Sequence, residues 1–183
     1  MVFRAGEGAG ASGSFFFFSY DRKFIIKTMN NAELKIFLKM LPEYEQHLTA
    51  NKGSLYSRIY GVYTIFMNKV SSVNLILMAN TLEFRSKDAV KYIFDLKGSF
   101  ISREVRPEKG KEHIPLKPTQ VLKDTNFLNI MSKEKCVNFL PGDAKELKDL
   151  MTLDADFARR RNIMDFSLLF AIENFTQEAI STD

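Results

Sequence analysis

Apolar and polar positions change period several times along the chain. Phe15 to Ser19 and Phe24 to Lys27 are short aromatic and β-branched runs separated by the polar turn Tyr20-Asp21-Arg22-Lys23, which predicts an antiparallel hairpin. Leu34, Phe37, Leu38 and Leu41 then recur at i, i+3, i+4 and i+7, one face of a short amphipathic helix, with Asn30 placed to cap it and Pro42 to close it. The period returns to that of a strand in RIYGVYTIFM (58–67) and VNLILM (73–78), joined by a loop from Asn68 to Ser72, and Ala79-Asn80-Thr81 breaks the pattern. A hairpin, one helix and a second hairpin are thus expected over the first 80 or so residues.

The second part opens with another strand, KYIFD (91–95), and passes into a basic segment rich in Gly and Pro. A second helix is expected to begin around Pro141-Gly142-Asp143. Asp143 and Glu146 have the spacing of a capping box, and Leu147, Leu150, Met151, Phe157 and Ala158 make an apolar face that ends near Asn162. IMDFSLLFAI (163–172) follows as a buried strand with Asp165 near its start. The expected organisation is α+β, with an N-terminal lobe over residues 1–80 and a second part over 81–183.

Composition narrows the compartment and the partners. The chain of 183 residues, 45% hydrophobic, suits one domain or two small lobes sharing a cleft. Its one cysteine, Cys136, excludes an internal disulfide and reads as a packing residue in a reducing compartment, since His47 and His113 stand in polar surroundings. Apolar runs such as LLFAI (168–172) fall far short of the roughly 20 residues that span a bilayer. Gly and Ser between Arg4 and Phe15 leave no signal-peptide core, so a cytoplasmic location is expected.

The net charge of +4, with a pI near 9.1, suggests an anionic partner. Between Lys97 and Lys117, the cations Lys97, Arg103, Arg106, Lys109, Lys111 and Lys117 face Glu104, Glu108 and Glu112. Such a cluster is usually a solvated loop; against an anionic membrane its net charge is worth about 3 kcal/mol, a transient attraction. Nucleic acid is not expected, because the aromatic residues occupy strand-core positions instead of a basic stacking surface.

Gly8, Gly10 and Gly13 spell GxGxxG, whose meaning depends on its flanks. A dinucleotide fold needs a buried strand before the glycines and a helix after them, and here only MVFRA precedes and a hairpin follows. A P-loop requires lysine and a hydroxyl residue where Ser14 and Phe15 stand. What remains is a kinase-type cover, with Lys27 supplied by the later strand FIIKT, or a flexible tail on an ordinary hairpin.

Four segments in order, GASGSFFFFSYDRKFIIKTM (10–29), FDLKGSFISRE (94–104), LKDTNFL (122–128) and IMDFSLL (163–169), resemble those of the phosphatidylinositol phosphate kinases. The likeness is greatest to the type that phosphorylates phosphatidylinositol 4-phosphate at the 5-hydroxyl. LKMLPEYEQHL and SLYSRIYGVY fill the interval in family order. The resemblance implies a two-lobed kinase-like fold with an incomplete C-terminal lobe, ATP and magnesium as cofactors, and a phosphoinositide substrate at the cytoplasmic face of a membrane. It also implies roles. Gly10, Ser12, Gly13 and Ser14 would cover the nucleotide phosphates, Lys27 would bind them, and Met78, Asn80 and Leu82 would form the adenine hinge. Glu33 matches the glutamate that orients the lysine, although Asn30 and Glu33 also have capping-box spacing. Asp165 resembles the catalytic aspartate, or is a turn residue. Lys97 and Arg103 resemble the pair that holds the phosphate already on the headgroup, or are ordinary loop charges. Asp95 and Ser99 complete that motif without a derivable role.

The chain also departs from the family pattern. Phe166 replaces a tyrosine and Glu173 a common histidine. The second magnesium-binding aspartate and the activation loop of the family are not among the 183 residues, which leaves the metal ligands unassigned. Very low activity is expected of this chain alone, and an inactive module that binds nucleotide or headgroup without turnover is the alternative.

Overall fold

The computed structural model describes residues 3–6, 14–82, 84, 89–107, 109–110, 120–134, 137–164 and 166–174. The chain divides into two compact units, residues 1–83 with 145–162, and residues 84–144 with 163–183. Helices and antiparallel strands are mixed as the kinase-like α+β reading requires.

In the first unit, five strands run in the order β1-β2-β3-β5-β4, every neighbouring pair antiparallel. They are β1 (Phe3–Gly6), β2 (Phe16–Ser19), β3 (Phe24–Met29), β4 (Ile59–Met67) and β5 (Val70–Ala79). The expected loop from Asn68 to Ser72 is instead a tight turn, with Lys69 at a left-handed φ of 66°, so β5 begins at Val70. Helix α1 (Asn31–Ala50) lies between β3 and β4 and does not stop at Pro42. Proline there removes the hydrogen bond to the Leu38 carbonyl, a cost of about 3 kcal/mol. The turns beyond it repay that by burying Tyr44 and His47.

The partner of that face is helix α3 (Pro141–Arg160), whose residues from Lys145 onward belong to the first unit. Phe157 is buried, stacks on the His47 ring at 4.5 Å and meets the Tyr56 ring edge-on at 5.6 Å. Asp143 is not the cap expected of it. The helix starts at Pro141, a residue preorganised for the first helical position, and Asp143 stands inside the first turn, where its charge complements the amide end.

The second unit is built on β6 (Val90–Leu96). It pairs in parallel with β7 (Val121–Leu122) and antiparallel with β8 (Leu168–Glu173). Phe94 is fully buried and packs against Phe127 of α2 (Asp124–Glu134) and Phe170 of β8, at ring distances of 5.2 and 6.3 Å. Helix α2 has no counterpart in the sequence reading, and β8 begins later and is less buried than expected, with Phe166 and Leu169 exposed.

Candidate functional site

Within the first unit, the hairpin of β2 and β3 positions Lys27. Its turn is held by the buried Ser19, whose hydroxyl donates to Asp21 Oδ1 at 2.6 Å and accepts the Phe24 amide at 3.0 Å. The Ser19 hydroxyl first, and the Lys23 amide next, hold the Asp21 carboxyl below its ordinary range. Where the glycine-rich segment enters the sheet, the Phe15 amide donates to Thr28 Oγ1 at 2.9 Å and the Thr28 amide to the Phe15 carbonyl at 3.0 Å. Lys27 therefore faces Phe16 across the ladder, one residue before the segment's tie to the sheet, and its Nζ lies 5.7 Å from the Phe16 ring centroid. Ser14 stands at the same entry. Gly10, Ser12 and Gly13 lie outside the described residues.

Glu33 occupies the capping box: its Oε2 accepts the Asn30 amide at 2.8 Å while the Asn30 side chain accepts the Glu33 amide at 2.8 Å. Its carboxylate thus closes the start of α1. Met78 stands next to the end of β5, opposite Ile25 and Ile59. Beyond it, Asn80 is tied to the hairpin turn through its amide to the Lys23 carbonyl at 2.8 Å and through Nδ2 to the Arg22 carbonyl at 2.7 Å. The Ala79 amide donates to the Arg58 carbonyl and the Leu82 amide to Asn80 Oδ1.

In the second unit, Asp124 organises the segment that carries Lys97 and Arg103. Its Oδ1 accepts the amides of Lys97 at 3.0 Å and Gly98 at 2.8 Å, and its Oδ2 accepts Arg103 Nε at 2.7 Å. Arg103, only 8% exposed, also donates through Nη2 to the Asp95 carbonyl and to Asp95 Oδ2 at 3.1 Å. Burial alone would push the Asp124 carboxyl up. The guanidinium and the amides of Gly98 and Lys97 outweigh it and hold the group below its ordinary value. For Arg103 burial opposes the charge, and the bonds to Asp124 and Asp95 prevail and raise its pKa. A second strap follows, in which the Asn126 side chain accepts the Val105 amide at 2.8 Å and donates to the Val105 carbonyl at 2.9 Å. The motifs FDLKGSFISRE and LKDTNFL, separate in the sequence, are one hydrogen-bonded piece. Asp95, for which the sequence offered no role, is a partner of Arg103. Lys97 sits half-buried at the base of the loop.

Asp165 lies outside the described residues. Among the described residues no group of three or more His, Cys, Asp or Glu side chains is placed to hold a metal ion. Among them, too, no helix is long and apolar enough to cross a membrane.

A further buried carboxylate escaped the sequence reading. Asp154 of α3 accepts His47 Nε2 at 2.6 Å, the Ser54 hydroxyl at 2.8 Å and the Leu55 amide at 2.7 Å, while the Tyr56 hydroxyl donates to its carbonyl at 3.0 Å. His47 is 6% exposed, not in the polar surroundings that its neighbours Glu45 and Gln46 suggest. Burial, then Asp154 and Tyr44, push the Tyr56 phenol up to about 12. The available signal was the helical spacing of Phe37, Tyr44 and His47, which continues the apolar face past Pro42.

Comparison with known proteins gives this geometry its family. The family model described as phosphatidylinositol-4-phosphate 5-kinase matches residues 2–183. A probable phosphatidylinositol phosphate kinase of Dictyostelium discoideum is 35% identical over 89% of this chain and 21% of its own length. The phosphatidylinositol 4-phosphate 5-kinase of Plasmodium falciparum is 33% identical over 89% of this chain and 9% of its own. For the human phosphatidylinositol 4-phosphate 5-kinase-like protein 1 the values are 33%, 89% and 38%. The chain thus spans well under half the length of these relatives. With a match that runs from residue 2 to residue 183, it belongs to the phosphatidylinositol-4-phosphate 5-kinase family.

Proposed function

We propose that this chain carries the nucleotide- and headgroup-binding parts of a lipid kinase that transfers the ATP γ-phosphate to phosphatidylinositol 4-phosphate, giving the 4,5-bisphosphate. The observation that carries the reading is Lys27, fixed in β3 beside the point where the glycine-rich segment joins the sheet. In this proposal Gly10, Ser12, Gly13 and Ser14 close over the phosphates and Lys27 neutralises them. The hinge from Met78 to Leu82 receives adenine. With the amides of Ala79, Asn80 and Leu82 donating within the protein and the Ala79 carbonyl accepting the Ser57 hydroxyl at 3.0 Å, that contact falls to the backbone around Thr81.

In the second unit Lys97 meets the phosphate already on the lipid. Arg103, with Nε and Nη2 committed to carboxylates, serves through its Nη1 edge and by holding the loop. The inositol 5-hydroxyl oxygen attacks the γ-phosphorus, the bond to the bridging oxygen breaks, ADP leaves, and the hydroxyl proton passes to Asp165. Magnesium would supply further charge neutralisation at the transferred phosphoryl group. The enzyme acts at the cytoplasmic face of a membrane, held there peripherally.

The test is phosphorylation of phosphatidylinositol 4-phosphate vesicles by the whole protein that contains this sequence, with Lys27→Ala and Asp165→Asn variants. Each substitution is expected to lower turnover about a hundredfold or more. Equal turnover in all three proteins would remove both residues from the mechanism.

A further inference from the structure

The loop between β6 and the Arg103 strap displays two large apolar side chains at its tip. Phe100 is 70% exposed and its neighbour Ile101 is 85% exposed. The chain reverses on both sides of them, with Gly98 at φ 69° and Ser102 at φ 57°, so the tip is narrow. The ties of Lys97, Gly98 and Arg103 to Asp124 fix its base, and Lys123 Nζ donates to the Ser102 carbonyl at 3.2 Å. A loop anchored in this way cannot fold its tip down onto the body of the unit to hide the side chains. Its polar groups are partly satisfied locally. The Ile101 amide donates to the Ser99 hydroxyl at 3.3 Å, and the Phe100 carbonyl accepts the Arg103 amide at 3.4 Å.

From these observations we infer that Phe100 and Ile101 form a wedge that enters the interfacial layer of an anionic bilayer. The inference goes beyond headgroup binding by Lys97, and rests on the lipid-kinase reading only for the identity of the surface. Two adjacent side chains are far too small a patch for a stable protein interface, which buries roughly 1,000 Å² or more. A fluid bilayer needs no shape complementarity and accepts an apolar wedge of any size. Backbone groups that enter it must bring their own hydrogen bonds, as those of the Ile101 amide and the Phe100 carbonyl do. Charge near the loop supports this, because Lys97 lies at its base and the Arg106 side chain, though paired with Glu104 at 2.6 Å, is largely exposed.

The chain contains no tryptophan, so Ile101→Trp introduces a single emitter at the tip. On vesicles of phosphatidylcholine with phosphatidylinositol 4-phosphate, its emission is expected to shift to the blue and to be quenched by brominated acyl chains. The same is expected on vesicles in which phosphatidylserine supplies the matching charge. The double variant Phe100→Ser, Ile101→Ser is expected to bind both kinds of vesicle about tenfold or more weakly, with its thermal unfolding midpoint unchanged. Vesicle-bound protein with unshifted emission would overturn the inference. So would a blue shift that grows with protein concentration in the absence of lipid, since the tip would then be meeting another protein. If Lys97→Ala leaves binding unchanged and neither lipid is preferred, the headgroup reading fails, while blue-shifted emission from the Ile101→Trp variant still upholds the wedge.

Discussion

Two buried carboxylates, Asp154 in the first unit and Asp124 in the second, use the same device and serve different ends. Each gathers one or two backbone amides and a cationic or protonatable side chain from a distant part of the sequence: Leu55 and His47 for Asp154, Lys97, Gly98 and Arg103 for Asp124. What lies next to them separates the two. Asp154 is walled by Tyr56 and by Phe157 stacked on His47, and the side chains that donate to it from His47 and Ser54 are buried. Asp124 fixes a loop whose far end is bare. A satisfied buried carboxylate is therefore no sign of a site by itself, and the surface it supports must be read with it.

The largest effect that sharpens this contrast is expected from Asp154→Ala. It leaves the buried donors of His47 and Ser54, and the Leu55 amide, without their acceptor, and should cost about 4 kcal/mol in urea unfolding. Asp124→Ala comes next, at about 3 kcal/mol, because Arg103 keeps Asp95 as a partner. Its signature should be local: the Lys97 and Gly98 amides lose protection from hydrogen exchange while those of α1 keep theirs. Equal loss of protection in both units would dissolve the distinction.

The hubs should also differ at opposite ends of the pH scale. Asp124 has a lowered pKa when folded, so the unfolded chain binds more protons in acid, and the stabilisation present above about pH 4 disappears as pH falls through the folded value. Tyr56 is raised to about 12, so its contribution is intact below the ordinary phenol value near 10 and is lost as pH rises toward 12. Chemical unfolding followed at both extremes checks this, with Asp124→Asn expected to flatten the acid edge and Tyr56→Phe the alkaline one. The smallest effect is that of Gly98→Ala, about 1 kcal/mol, for it meets open space but a left-handed backbone.

Elements that depend on near neighbours were legible in the sequence. The Tyr20 to Lys23 turn, the β4 and β5 strands and the Asn30 cap all rest on short-range patterning, and each is present. What escaped depends on partners far along the chain. Helix α1 continues through Pro42 because α3, about a hundred residues later, covers His47, and because Tyr56 and the Ser57 carbonyl meet Tyr44. Arg103 could be read as a loop charge because nothing in its neighbourhood announces Asp124. Of the candidate site, the sheet position of Lys27 and the capping role of Glu33 were readable, since both follow from local spacing. The joining of FDLKGS to LKDTNF was not, since a hydrogen bond across 26 residues leaves no periodic trace.

The crossing of the chain between the two units bears on how the molecule is made. Residues 145–162 complete the first unit, yet they are synthesised between β6 and its sheet partner β8. No single cut yields either unit whole. On the ribosome β6 must wait with one edge open until residue 173 emerges, by which time the hairpins of the first unit have long been free to form. That waiting strand, more than any finished surface, is where a nascent copy is exposed to mispairing.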